Sequence, residues 1–567
     1  MDQFDQWFND FNSSDSYRKF QLRPVAYFCA EFCLYDRTIY ETGPQMRRDL
    51  SIYAGGLGIL AGDVVREAAD RHFPLVAVGL FYSDSKDPGV AQRRLKIVLD
   101  NHHNLITVKI PLQGRRISVA AYEWLEKGVP VYLLTTDISQ NEPRDRAITS
   151  SLYPGDKEKR LQQEIVLGLG GLRLLGALGI HPAVYHLNEG YSAFLAIEII
   201  RHEIEERLIS FDSARDLAKR RIVFTNHTLL PAGNDVFSND LVAANLAKYG
   251  EEMMVPVNEL VNLGLVQESS LFSMTMLSLR SAQAANAVSQ PHAIKAAEIW
   301  PDHPMISITN GIHLATWDRT GVDRELDWFG QESDIRDRHR ENKRKLLNYV
   351  EKVTGQKWEE NWLLLGWGRR ITGYKRLKAI FQDIDRLAAV FRDKDRPVRL
   401  VISGDPHPSD EDGQKELSEI LEIIKTKLSD VVCYLPGFNF EIAGTMTAGC
   451  DLWLNTPVIG FEACGTSTMK AMLNGTLPAS TRDGWLSEIE INSVGWELGD
   501  ANPGADFLEL LDKEIKPQYY SNSKSDPEEK WLKKMQAGRE IIAYKYSTSR
   551  MLKEYVEKLY VPIISMA

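Results

Sequence analysis

Cysteine is scarce in this chain. There are five in 567 residues, Cys29, Cys33, Cys433, Cys450 and Cys464, at spacings that match no metal-ligand pattern. An odd number fits a reducing compartment better than a disulfide framework. Long apolar runs are missing too: the longest, IVLGLGGLRLLGALGI at 165–180, is rich in glycine and interrupted by Arg173, which leaves it short of a membrane span. The first residues, MDQFDQWFNDFNSSDSYRKF, are acidic and aromatic where a secretory leader is basic and aliphatic. A soluble, cytoplasmic protein without membrane contact is the expectation. Positive charge is in deficit, with 67 Lys and Arg against 78 Asp and Glu, a net charge of −11 that argues against a nucleic-acid partner. The chain also lacks H-E-x-x-H, G-x-S-x-G, G-x-x-x-x-G-K-[ST] and C-x-x-C, and no metal is expected.

What is present alternates. Strand-like PVAYFCAEF (24–32) and LVAVGLFY (75–82) flank helically spaced GILAGDVVREAAD (58–70). VAAYEW, PVYLLTTD, the helix-like 161–179, PAVYHLNEG and RIVFTNHT follow. A polar, helix-rich passage at about 320–360 precedes a second series: WLLLGWGRR, RPVRLVISG, ELSEILEIIKTKL, VVCYLPGF, DLWLNTP, a short helix and TLPAS. The pattern predicts an α/β fold with parallel sheets, built as two Rossmann-like domains facing a cleft at the carboxyl ends of their strands. The expected divisions are 1–320, 321–545 and a closing amphipathic helix, 546–567, packed back on the first domain.

Six stretches carry chemistry. YAGGLGILAGD (53–63) is a glycine-rich turn opening a helix, suited to an anion; its G-x-G-x-x-A match to a dinucleotide fingerprint has no acidic residue at the expected offset. GWGRRITGYKRLKAI (366–380) gathers Arg369, Arg370, Lys375 and Arg376 at the end of an apolar strand, either a phosphate site or a solvated helix start. HLNEGYSAF, VFTNHTLLP and ITNGIHLATW each end a β-like run with Asn, His or Glu, which can bond a polyhydroxylated ligand or merely cap a turn. In FEACGTSTMKAMLNG (461–475), Lys470 is a lone amine in a small, apolar run. Either its stem lies along the surface with the ammonium in water, or it sits in an apolar pocket and forms a Schiff base with an aldehyde cofactor whose phosphate takes the CGTST helix start. Asp393 and Asp395 form a D-x-D that reads as a solvated turn.

EACGTSTMKAMLNG resembles the pyridoxal-phosphate signature of the α-glucan (glycogen, starch and maltodextrin) phosphorylases. AYFCAEF, YAGGLGILAGD, LYPGDKEKRLQQE, HLNEGYSAF, FTNHTLLP, TNGIHLATW and RRITGYKR occur in that family's order over nearly the whole chain. The similarity is closest to the compact bacterial and archaeal branch. It implies a GT-B arrangement and reversible phosphorolysis of terminal α-1,4-linked glucosyl units to α-glucose 1-phosphate with retention. Lys470 would carry pyridoxal 5′-phosphate, with Thr466, Ser467, Arg369 and Gly56 near its phosphate. Arg370, Lys375 and Gly56 would hold inorganic phosphate. Leu57, Asp156, Glu189, His227, Asn310, Tyr374, Glu462, Cys464 and Gly465 would line the glucose pocket, with Lys470, Arg370, Lys375 and His227 as the catalytic set. A homodimer is a further implication of the resemblance.

The chain departs from the family in places. Cys464 stands where serine is common, Tyr191 where histidine is usual, Cys33 and Phe438 where tyrosines lie near the cofactor ring, and Asp405 where a lysine is expected. An insertion, RTIYETGPQMRRDL (37–50), lengthens the loop before the first glycine turn. Two rivals therefore stay open: a nucleotide-sugar glucosyltransferase of the same fold, and a catalytically degenerate glucan-binding protein.

Overall fold

Unbroken aliphatic runs become strands buried on both faces, as parallel sheets require. All residues of Val25–Phe28, Leu75–Leu80, Val184–Asn188 and Ile222–Asn226 are buried, as are those of Leu363–Gly368 and Leu452–Asn455. The computed structural model describes residues 3–36, 49–50, 52–84, 88–229, 233–267, 269–321, 332–407, 410–521 and 529–566. Nearly all of the insertion at 37–50 lies outside the described residues.

Two sheets organise the chain. The first runs Ile306–Ser307, Ala284–Ala287, Ile222–Asn226, Val184–Asn188, Val25–Phe28, Leu75–Leu80 and Val129–Thr135, each pair parallel. The second is parallel throughout: Val432–Leu435, Val398–Ser403, Leu363–Gly368, Leu452–Asn455, Leu477–Thr481 and Trp496–Leu498. Each has its own apolar core. In each, the first strand sits inside the sheet and the chain builds outward from it in both directions, which leaves a crevice beyond the strand ends at the switch point. Those ends are Phe28 and Asn188 in one sheet, Gly368 and Asn455 in the other.

One edge differs from the all-parallel expectation. Arg115–Glu126 pairs antiparallel with Val129–Thr135, and Lys96–Ile97 and Val108–Leu112 pair antiparallel with it. The cause is a two-residue turn, Lys127–Gly128, with φ of 46° and 98°, the positive pair that lets a tight hairpin follow the sheet's twist. Lysine is an uncommon residue at the first of these positions, so the turn is poorly marked in sequence.

The chain returns to the first core at its end. Met551, Leu552, Tyr555, Val556, Leu559 and Tyr560, on consecutive helical segments from Thr548 to Tyr560, join that core. Tyr560 Oη lies 2.7 Å from His186 Nδ1 in the strand Val184–Asn188. A separate apolar cluster draws on both halves of the sequence, with Cys33, Ile312 and Trp317 beside Phe440, Cys464, Met469 and Trp485. Among the described residues, no helix is long and apolar enough to cross a membrane.

The returning segment passes against Gly311 so closely that a Cβ there would lie 2.3 Å from Ser547 O. Gly311→Ala is therefore expected to lower stability by about 1–3 kcal/mol, read as a lower midpoint in urea unfolding; an unchanged midpoint would mean the segment shifts freely.

Candidate active site

The helix Thr466–Leu473 begins after Gly465, whose φ of 87° needs a residue without a Cβ. A left-handed turn there brings the chain sharply into the helix and leaves the first N–H groups facing outward. Lys470 lies one turn on, 5 % exposed, in the apolar cluster shared by both halves. Its Nζ is 3.9 Å from the centre of the Trp317 ring, and no hydrogen bond or ion pair reaches it among the described residues. Burial pushes the amine down to about 8, opposed by Asp63 and Cys33 and assisted by Arg66. The lysine is thus a buried amine primed to lose its proton, not a surface stem with a solvated head.

Arg369 and Arg370 follow the strand Leu363–Gly368 directly. Arg369 is 7 % exposed, and its Nη2 donates to Ser467 Oγ at 3.2 Å while its Nε is buried without a partner. Arg370 is exposed, and no hydrogen bond or ion pair holds it among the described residues. Lys375 Nζ donates to Glu462 Oε2, and Arg369 Nη1 lies 3.7 Å from the same oxygen. Burial pushes the Glu462 carboxyl up, but Lys375, Arg369 and Arg370 outweigh it and hold the group below its usual range. Tyr374 carries Lys375 over its ring at 4.8 Å and stacks with Phe461 at 6.3 Å.

The loops that follow strands of the first sheet bring further groups near this cluster. Glu31 is buried three residues past the end of Val25–Phe28, accepting from Ala54 N at 2.5 Å and Tyr153 Oη at 3.0 Å. Burial raises its carboxyl, offset by those bonds and by the charge of Arg370, which places Arg370 within electrostatic reach of both Glu31 and Glu462. Glu31 thereby fixes the turn before the helix Gly56–Asp70, where Gly55 and Gly56 face open space. Leu57 is half-buried beside it.

Glu189 has φ 70° and ψ 169°, a conformation that costs a side chain of this size about 1–3 kcal/mol. The strain aims its carboxylate back at the chain, where it accepts from Gly190 N at 3.1 Å and His227 N at 2.8 Å. Burial still pushes the group up to about 8. His227 Nε2 lies 2.6 Å from Asn188 Oδ1, and burial pushes the ring down to about 3. The imidazole is neutral. Since Asn188 Nδ2 donates to Cys29 Sγ, its oxygen accepts from Nε2 and leaves His227 Nδ1 as an acceptor. Asn310 is buried with Oδ1 unpartnered, and its N–H lowers the Cys464 thiol against a larger rise from burial.

Asp156 stands apart. It is exposed, and its carboxylate caps the helix Lys157–Ile165 by accepting from Glu158 N and Lys159 N. Of the departures, Asp405 accepts from Tyr434 Oη and Phe438 N, so its charge is engaged locally. Tyr191 and Tyr153 hold Arg160 between them, 4.5 and 4.4 Å from the ring centres. Asp393 Oδ1 accepts from Asp395 N, the turn expected of that pair, and no metal-binding cluster exists among the described residues. Sequence reasoning missed Trp317, Asp63, Glu31 and Asn188, which meet the site only through the fold.

The donors fit pyridoxal phosphate. An orphaned guanidinium N–H, the Ser467 hydroxyl and a helix start suit its phosphate, and an unpaired amine one turn away suits its aldehyde.

The sequence model of the family described as carbohydrate phosphorylase matches residues 325–557. The chain is 33 % identical to the maltodextrin phosphorylase of Thermococcus litoralis, over 99 % of this chain and 73 % of that protein. It is 31 % identical to a glycogen phosphorylase of Mycobacterium tuberculosis (95 % and 71 %) and 28 % identical to that of Aquifex aeolicus (98 % and 88 %). With relatives of this identity spanning both halves of the chain and the lysine helix, the protein belongs to the carbohydrate phosphorylase family.

Proposed function

We propose that the protein catalyses reversible phosphorolysis of terminal α-1,4-linked glucosyl units of a glucan, yielding α-glucose 1-phosphate with retention, and that it uses pyridoxal 5′-phosphate. The observation that carries this reading is a buried amine with no bonded anion among the described residues, Lys470, on a helix whose Ser467 meets Arg369, a guanidinium with one buried N–H left unpartnered, next to Arg370, which is exposed and unpaired among the described residues. The reading takes 1–320 and 321–545 as two domains of a GT-B cleft, with 546–567 closing on the first. A cytoplasmic enzyme acting as a homodimer completes it.

Lys470, Thr466, Ser467 and Arg369 would hold the cofactor, and the chemistry it supplies when bound is acid–base exchange through its phosphate. Arg370, Lys375 and the N–H groups of the Gly56 turn would receive inorganic phosphate. Lys375 pairs with Glu462 in the meantime, so an arriving dianion draws the ammonium toward itself and frees the carboxylate for sugar hydroxyls. His227, neutral and with no partner at Nδ1 among the described residues, would accept from a hydroxyl without adding positive charge next to a forming oxocarbenium ion. The substrate phosphate gives its proton to the glycosidic oxygen as the C1–O bond breaks. One of its oxygens then forms the new C1–O bond on the same face, and the glucan leaves one unit shorter.

Phosphate-dependent release of glucose 1-phosphate from maltooligosaccharides tests the reading. Lys470→Ala is expected to lose about 10³-fold or more; equal turnover by the variant, or turnover only with a nucleotide sugar, would overturn it. The two arginines should separate: Arg370→Leu raises KM for phosphate about 10- to 100-fold with cofactor content unchanged, whereas Arg369→Leu loses bound cofactor. Cofactor uptake should depend on pH through Lys470 itself. Only the unprotonated amine attacks an aldehyde, so uptake by cofactor-free protein should rise with pH, reach half its maximum near the amine's value of about 8 and level off above it, as followed by absorbance.

A further inference from the structure

Behind Lys470 runs a chain of contacts that the reaction above does not use. The Trp317 ring under the amine is held by its own N–H, which donates to Asp63 Oδ2 at 2.8 Å. His313 N donates to the same oxygen at 3.3 Å. The other carboxylate oxygen, Oδ1, takes Arg66 Nη1 at 2.8 Å, and both side chains are 1 % exposed. Arg66 is fixed in turn by Cys33 O and by the Tyr35 ring, 4.3 Å from its Cζ. Every bond of Asp63 goes somewhere other than the lysine, although its charge acts on the amine.

This arrangement matters because a buried carboxylate near a buried amine will ordinarily pair with it and hold it protonated. A protonated Lys470 cannot take an aldehyde. Here the guanidinium satisfies the carboxylate first, and the indole occupies its remaining oxygen. An indole whose N–H is bonded to an anion also presents a more electron-rich face, which steadies the amine's position without a proton-fixing bond. The other groups around the amine add no competing charge. Burial pushes the Cys33 thiol up to about 12, so it is neutral. His313 directs its ring at Thr316 and Asp70, Glu441 pairs with Arg319, and the lysine's own helix carries no other ionisable residue.

We propose that Asp63 and Arg66 are positioning residues for Lys470: the carboxylate anchors the Trp317 ring beneath the amine, and the guanidinium keeps that carboxylate from pairing with it. The proposal rests on Lys470 being the lysine that takes the cofactor's aldehyde.

The two residues act on the amine with opposite sign, and this separates a positioning role from a structural one. In the cofactor-free full-length protein, reductive methylation of Lys470 with formaldehyde and cyanoborohydride, read by peptide mass spectrometry across pH, gives the amine's titration directly. Asp63→Asn is expected to move the half-point down and Arg66→Met to move it up, each by about one pH unit. The double variant should return toward the unmodified protein. Trp317→Phe, which keeps a ring but leaves Asp63 Oδ2 with only the longer His313 N–H bond, should also move it up, and it tests the idea even where an ion-pair variant fails to fold. Shifts in the same direction for Asp63→Asn and Arg66→Met, or no shift in any variant, would overturn the proposal. Borohydride trapping of pyridoxal phosphate on each protein keeps the two readings apart: trapping at another lysine while the opposite shifts persist removes the cofactor assignment alone.

Discussion

The arrangement of this molecule turns on a lysine buried without an anion. Placing an amine in an apolar cluster is costly while it carries charge, and here burial lowers the amine to about 8, so that it gives up its proton far more readily than a solvated lysine, with no carboxylate bonded to it among the described residues. Such an environment cannot be built from one sheet. Cys33 and Trp317 come from the first half of the chain, Phe440 and Met469 from the second, and the cluster they form is distinct from the core of either sheet. The surroundings of the amine are therefore built jointly by both halves of the chain.

Around that point the charges are sorted by strength of commitment. Asp63 with Arg66, and Arg539 with Asp318, are buried pairs at 2.8 and 2.6 Å that serve as fixed struts. Lys375 with Glu462 is a pair that a dianion can divide, because Arg369 lies 3.7 Å from the same carboxylate and compensates part of its charge. Arg370 carries no pair at all among the described residues. The charges thus grade from closed pairs inside to an open cation at the strand end, and in the proposed reaction that gradient would leave the outer cations available to phosphate.

How much of this could be read from sequence depends on whether the signal was local. Lys470 stood out because a charged residue in a small, apolar run is chemically odd, and Arg369 and Arg370 because they follow an apolar strand immediately. The alternation of strand and helix carried the parallel sheets, since burial on both faces removes the polar residues that other sheets show. The antiparallel edge was missed because Lys127 takes a positive φ that its side chain does not announce. Asp63 was missed for a different reason. Its adjacent residues in sequence are small and apolar, Arg66 one turn on reads as an ordinary i,i+3 pair, and the Trp317 it anchors is 254 residues away in the chain. Glu189 was noticed for its chemistry, while its backbone strain is a property of the strand end and not of the residue.

The cysteines noted at the outset gain a meaning from burial. All five are enclosed, and in each the thiol is pushed upward, for Cys29 and Cys33 to about 12 and for Cys433, Cys450 and Cys464 further still. Oxidants and alkylating agents act on exposed thiolates. Cys464, although it sits in the turn that opens the lysine helix, thus offers them no handle, and the native site should ride out peroxide or disulfide stress that would disable an enzyme with a reactive thiol at the same place.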